Sequence, residues 1–267
     1  NTALPLRIMI AANILNVAGN AFTIYIMNME TRGVAIATLG ARVFSAVVIT
    51  VLLLKQTPRK EISAFIRPDI PAARRIIRLG IPYSFENGMF YLGRILVLIM
   101  VASFGTASIA ANAVAQAIVL FQVLPGMAAV TGITVVVARC VGAEDFKKAE
   151  HYNNRIAGGI YLFHFASCML ILLLLPLIMQ LYNLSPEATR LTKQIVMLHA
   201  FFTMAVWPAS YALPATFRAA GDTRFPMIVS VSCMLLCRVG FSYILGIVLG
   251  MGVVGVWLGM FGDWIVK

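Results

Sequence analysis

One acidic residue stands deep in the first seven apolar runs of this chain: Glu86, in IPYSFENGMFYLGRILVLIM (81–100). A carboxylate in such surroundings is costly, and it can load a proton or a sodium ion and change its charge on doing so. At about 100° per helical residue, Phe90, Tyr83, Arg94, Asn87 and Tyr91 all fall within about 140° of Glu86. The rest of the turn is greasy: Met89, Leu92, Ile95, Leu96, Ile99 and Met100. A helix with one polar-aromatic third lines a cavity or a helix interface. The cavity reading makes Glu86 an ion-carrying group; the plainer one makes Glu86 and Arg94 a pair that locks helices together.

Other apolar runs hold fewer such residues. Asn16 and Asn20 are four apart and share a helical face, where amide oxygens suit a cation or a substrate, or join two helices. His199, Thr203, Trp207 and Ser210 fall within about 80° of one another on a later run. Pro208 and Pro214 should break that run, and broken helices at depth are common beside transport sites, while a packed Trp is the ordinary explanation of the same residues. Asn112 and Gln116 make a similar, sparser pair. His164 is alone on its run, which favours a satisfied structural role. Arg42 and Arg238 have no partner visible in the sequence, and Asp263 beside Trp264 reads as a helix lock. No HExxH, Walker loop, GxSxG or His/Cys ligand cluster is present, so an enzyme is not supported and no cofactor or metal is expected. Gly250-Met-Gly-Val-Val-Gly255 matches G-x-G-x-x-G in letters, but it follows no strand, so close helix packing explains it better. The four cysteines, Cys140, Cys168, Cys233 and Cys237, lack CxxC spacing, and no disulfide is expected.

The elements that position these residues follow from composition. Hydrophobic residues make up 61% of the 267 and charged residues 12%, about half the charged share of an ordinary soluble domain. A bilayer core of about 30 Å needs roughly 20 apolar residues in a helix. That length predicts eight spans, near 6–28, 33–54, 80–103, 110–138, 156–181, 193–217, 225–248 and from 252 onward, with a bend in the fourth near Pro125-Gly126. The net charge of +11 first suggests nucleic acid, but Lys and Arg are concentrated in alternate gaps between spans. Residues 55–79, 139–155 and 217–224 are basic, while the other gaps carry little charge. By the positive-inside rule the basic gaps are cytoplasmic and the protein is a multi-pass protein of the cell (inner or plasma) membrane, without a nucleic-acid partner. Within 55–79, basic residues interleave with Ile62, Phe65, Ile66, Ile76 and Ile77, which suits an interfacial helix on anionic lipid or a solvated linker.

The start of the chain echoes its end. At an offset of 221 positions, Asn1-Thr2 falls on Asp222-Thr223, Pro5 on Pro226 and Gly19 on Gly240. One residue further, Gly33-Val34 falls on Gly255-Val256. If one repeat is about 220 residues, two need roughly 440, so the expectation is the C-terminal part of a two-lobed molecule. Residues 1–54 are then the last two helices of the first lobe, 55–79 the cytoplasmic linker, and 80–267 a second lobe of six helices.

The chain resembles the multidrug and toxic compound extrusion (MATE) family. The text that carries the resemblance is NTALPLRI (1–8), GVAIAT (33–38), LGIP (79–82), FGTASIAANAVAQAI (104–118), VGAEDFKKAE (141–150), FRAAGDTRFP (217–226) and GVWLGMFGDW (255–264). The resemblance implies an all-α integral membrane fold of twelve helices in two six-helix lobes, of which helices five to twelve are present. It also implies a monomeric antiporter in contact with membrane lipids. Such a protein exports small organic compounds, often cationic, in exchange for H+ or Na+ by alternating access. Asn16 and Asn20 match a paired-asparagine pattern that some members use near the cation site. The chain departs from sodium-type members at two acidic positions, which here are Phe90 and Trp207; Glu86 stands one turn before Phe90 on the same face. The substrate and ion cavity is thus expected among Glu86, Asn87, Phe90, Tyr91, Arg94, Asn16, Asn20, Asn112, Gln116, His199 and Trp207. A lipid-linked oligosaccharide flippase of the same broad architecture is the alternative, favoured by the intramembrane arginines.

Overall fold

The computed structural model describes residues 3–56 and 69–267. Residues 57–68, and with them most of the interfacial helix expected in the 55–79 stretch, lie outside the described residues. The chain divides into two compact units, Asn1–Ala73 and Arg74–Lys267.

The first unit is a helical hairpin. Helix α1 (Ala3–Ala21) runs into one π-helical turn, Phe22–Ile26, and α2 spans Glu30–Gln56. Small residues let the two backbones approach closely. A Cβ on Gly33 would stand 2.7 Å from Thr23 Cβ, and one on Gly19 would stand 3.0 Å from Ala37 Cβ. Most side chains of this hairpin are exposed, as hydrocarbon-facing surfaces are; Val17 is 68% exposed.

The second unit is a bundle of seven helices among the described residues. These are α3 (Ile70–Ala102), α4 (Thr106–Gly142), α5 (Phe146–Tyr182), α6 (Pro186–Ala205), α7 (Trp207–Ala219), α8 (Arg224–Cys233) and α9 (Gly252–Val266). Helix α8 continues as two π-helical segments, Met234–Phe241 and Ile244–Val248. The polar punctuation between apolar runs sets the ends. Asp145 accepts from the Lys148 N–H at 3.1 Å to cap α5, Asn183 ends α5 in the left-handed region, and Ser185 accepts from the Ala188 N–H at 3.3 Å to cap α6. The core fills the space between α4, α5, α6 and α9 with Ile133, Ile160, Ile195, Val256, Trp257 and Phe261, each essentially buried. Large apolar side chains on the outer faces stay exposed, which in a membrane is the favourable state. Leu173 and Leu181, for example, are each 78% exposed.

The predicted spans are recognisable one by one. Among the described residues, six helices are long and apolar enough to cross a bilayer: Ala3–Ile26, Glu30–Lys55, Ile70–Ala102, Thr106–Gly142, Phe146–Tyr182 and Arg224–Val248. The span expected at 193–217 is a helix pair, α6 and α7, bent by 51°. The break falls at Val206, so that Pro208 sits in the first turn of α7, where a missing N–H costs nothing. The last apolar helix, α9, has 15 residues. Helix α4 passes through Pro125-Gly126 without interruption. Helix α3 begins at Ile70, ahead of the span start expected at 80, because Arg74, Arg75 and Arg78 extend it with long stems that keep their charges in water.

Candidate functional site

Four elements of the second unit bring charge together in buried or partly buried positions. Helix α3 supplies Glu86 and, one turn on, Phe90. Helix α7 supplies Tyr211 and Arg218, the π-helical stretch of α8 supplies Arg238, and α9 supplies Asp263 and, four residues on, Lys267. Residues three or four apart share a helical face, so these pairs stack as two rungs.

In the first rung Arg218 donates from Nη1 to both oxygens of Glu86, at 3.2 and 3.1 Å. Lys267 Nζ lies 4.0 Å from the same carboxylate. Aromatic faces flank both cations: Arg218 Cζ stands 5.3 Å from the Tyr83 ring centroid, and Lys267 Nζ 5.3 Å from that of Tyr211. Arg218 also sits in the last turn of α7, where the helix dipole favours a cation. In the second rung Arg238 Nη2 pairs with Asp263 Oδ2 at 3.2 Å, both side chains 5% exposed. The Arg238 guanidinium lies over Phe90, 4.5 Å from its centroid, a cation–π contact in a desolvated place.

Glycines make this convergence geometrically feasible. A Cβ on Gly255 would meet the Leu245 carbonyl oxygen at 2.6 Å, and one on Gly259 would meet Ser242 Cα at 2.8 Å. Helices α8 and α9 are therefore packed backbone against backbone, and Ser242 Oγ donates to the Val256 carbonyl at 2.8 Å across the seam. The G-x-G-x-x-G letters are thus a turn and a close contact: Gly250 and Gly252 have positive φ, and Gly255 is the point of approach.

The alternative that paired Glu86 with Arg94 does not hold: Arg218 holds Glu86 with Lys267 nearby, and Arg94 is exposed with no ion pair among the described residues. Geometry explains the choice. Arg94 is two turns from Glu86 on its own helix, whereas α7 and α9 end opposite it. Asn87 bonds back to the Tyr83 carbonyl at 2.9 Å, and Tyr91 is exposed on the outer part of this face.

His199 and Trp207 are placed in the packed core instead. His199 is 2% exposed, with Nδ1 bonded to Gln122 Oε1 at 2.5 Å and approached by the Thr203 hydroxyl at 3.1 Å. The rings of Trp257, Phe261 and Trp264 surround it. Trp207 stacks on Tyr211, centroids 4.3 Å apart, and lies beside His164. His164 Nδ1 bonds the Thr203 carbonyl at 3.3 Å, the structural role that its isolation suggested. Asn112 accepts from Trp257 Nε1 at 3.1 Å inside the bundle, and Gln116 is half-buried one turn on.

In the first unit, Asn20 Nδ2 donates to Asn16 Oδ1 at 3.2 Å and Asn16 Nδ2 to Thr38 Oγ1 at 3.2 Å. Asn20 Oδ1 is a buried acceptor with no partner. Arg42 is exposed and makes no ion pair among the described residues. Of the intramembrane arginines that favoured a flippase, Arg238 has a carboxylate partner after all.

The comparisons with known proteins fit this architecture. The MatE family model matches residues 82–244. The chain belongs to the MatE family. Among curated relatives, the uncharacterized transporter YisQ of Bacillus subtilis is 24% identical over 95% of this chain and 57% of its own length. The probable multidrug resistance protein NorM of Thermotoga maritima is 23% identical over 88% of this chain and 50% of its own. A solved structure described as the outward-facing conformation of a multidrug resistance MATE family transporter of the MOP superfamily superimposes with a TM-score of 0.85 at 21% identity. It is matched over 97% of this chain and 58% of that one. The chain thus spans about half the length of the curated relatives it matches, and its fold is that of the solved MATE transporter structure.

Arg218, Lys267, Tyr211 and Gln122 were not anticipated as members of these polar clusters. The sequence held one signal for two of them: Trp207, Tyr211 and Arg218, spaced by four and seven, form one stripe that runs from the predicted sixth span into the basic gap after it.

Proposed function

We propose that this MatE chain is the last two helices of one lobe and the whole second lobe of a secondary active exporter. The exporter moves small amphipathic organic compounds out of the cell across its plasma membrane in exchange for H+ or Na+. Its basic loops face the cytoplasm. The observation that carries the reading is Glu86, a largely buried acid in an apolar helix, met by two cations from two other helices and flanked by aromatic rings. An ion pair of that kind is a two-state element: a proton or sodium ion on Glu86 releases Arg218 and Lys267, and helix α3 is then free to part from α7 and α9. Alternating access needs such an exchangeable tie. The Asn16–Asn20–Thr38 chain in the first unit, with its unpartnered amide oxygen, is the second place where a cation would find oxygen ligands. The curated name of the Thermotoga relative, a probable multidrug resistance protein, supports the substrate class.

The test is dye and drug efflux from cells stripped of their own exporters. Expression of the full protein should lower accumulation of at least one amphipathic compound, and Glu86→Gln should abolish the dependence on an imposed proton or sodium gradient. Unchanged gradient dependence in that variant would remove Glu86 from coupling, and no efflux of any compound would sink the exporter reading.

A further inference from the structure

The two rungs carry more positive charge than they need to hold the helices together. Arg218, Arg238 and Lys267 contribute +3 and Glu86 and Asp263 contribute −2, leaving +1. Arg94, further along the same face of α3, adds a fourth cation without a carboxylate among the described residues. A largely buried cation that no carboxylate fully satisfies is costly, and Arg218 and Lys267 are 22% and 11% exposed.

The hydrogen-bond inventory points the same way. Arg218 spends a single nitrogen, Nη1, on both Glu86 oxygens, although a guanidinium offers five donors in a planar fork. Lys267 Nζ, at 4.0 Å from Glu86, is too far to donate to it. Arg238 Nε is buried with no acceptor at all. These donors converge beside the rings of Tyr83, Phe90 and Tyr211. Unpaired donors, a net positive charge and aromatic walls in one place match a ligand with an acidic group on an aromatic or hydrocarbon body. A bidentate acid suits the free edge of Arg218.

We infer that the Glu86–Arg218–Lys267 and Arg238–Asp263 cluster is an anion subsite, which takes the carboxylate, sulfonate or phosphate of an amphipathic substrate and lays its rings against Tyr83, the exposed aromatic ring at its edge. This rests on the exporter reading and narrows it: the preferred cargo is anionic or zwitterionic, and a purely cationic compound meets a like charge.

The probes are two rhodamine dyes of one skeleton, one with its free carboxylate and one with that group as the methyl ester. Binding to the purified full protein is followed by fluorescence anisotropy, and uptake by proteoliposomes under an imposed proton or sodium gradient. The free acid should bind at least about tenfold more tightly than the ester, as expected where a close charge pair decides between ligands. Lys267→Glu changes the cluster from +1 to −1 and should reverse that order; Lys267→Gln, a milder change, should shrink the ratio towards one. Equal or tighter binding of the ester by the unmodified protein overturns the proposal, as would a carboxylate elsewhere in the protein that already neutralises the cluster, seen as no binding of the acid. An unchanged ratio in both Lys267 variants overturns it too. The two readings separate cleanly. Acid-selective binding without gradient-driven uptake keeps the subsite and removes the exporter, while uptake of the ester alone keeps the exporter and removes the subsite.

Discussion

The buried pair of Arg238 and Asp263 makes a sharp prediction about stability. Both side chains are 5% exposed, and the pair is joined by a single contact of 3.2 Å. Asp263→Ala leaves a guanidinium in the bundle with only the Phe90 ring for compensation. Removing one partner of a buried pair costs about 3–5 kcal/mol, whereas replacing both with apolar side chains of similar volume is close to neutral. At about 2–4 °C per kcal/mol for a unit of this size, Asp263→Ala should lower the midpoint of thermal unfolding by roughly 6–20 °C. The double variant Arg238→Met/Asp263→Leu should recover most of that loss. The readout is built in, because Trp207, Trp257 and Trp264 are all buried and Trp264 adjoins Asp263. Intrinsic fluorescence melting of the full protein in detergent, arranged as a double-mutant cycle, measures the coupling directly. A shift below about 2 °C for the single variant, or a double variant as unstable as the sum of the singles, would show that the pair is solvated and that the two-rung description is wrong.

Three further outcomes are expected. Gly255→Ala places a methyl against the Leu245 carbonyl, forces α9 away from α8 and should destabilise by about 1–3 kcal/mol, read by the same melting assay. Gln122→Leu leaves the buried His199 Nδ1 with the Thr203 hydroxyl alone and should cost about 1–3 kcal/mol; no loss would mean that Thr203 satisfies the ring by itself. At the start of α5 the Lys148 side chain and backbone N–H beside Asp145 hold its carboxyl below the ordinary 3.8. A depressed value stabilises the folded state above the ordinary value and loses that contribution as pH falls below it. Asp145→Asn should therefore melt slightly lower than the unmodified protein at neutral pH and converge with it in acid below about pH 4; a difference that persists there refutes the charge effect.

Much of this molecule was determined by the order of its residues. Apolar runs of bilayer length, separated by basic and non-basic gaps in alternation, dictate membrane helices because no other element satisfies its backbone in hydrocarbon. Pro208 sits just after the break between α6 and α7, whereas Pro214 is carried inside α7 without one, and the glycines near residue 255 lie at a close backbone seam. Local chemistry settles such features, since capping, proline and span length act within a few residues. What the sequence could not decide was partnership. Glu86 and Arg94 share a helix and looked like a pair, yet Arg218 and Lys267, 132 and 181 positions away, hold the carboxylate. Arg238 seemed orphaned until α9 delivered Asp263, and His199 seemed to face a cavity until Gln122 and three aromatic rings enclosed it. Which charges meet depends on where helix ends arrive in space, and that is set by packing across the whole bundle.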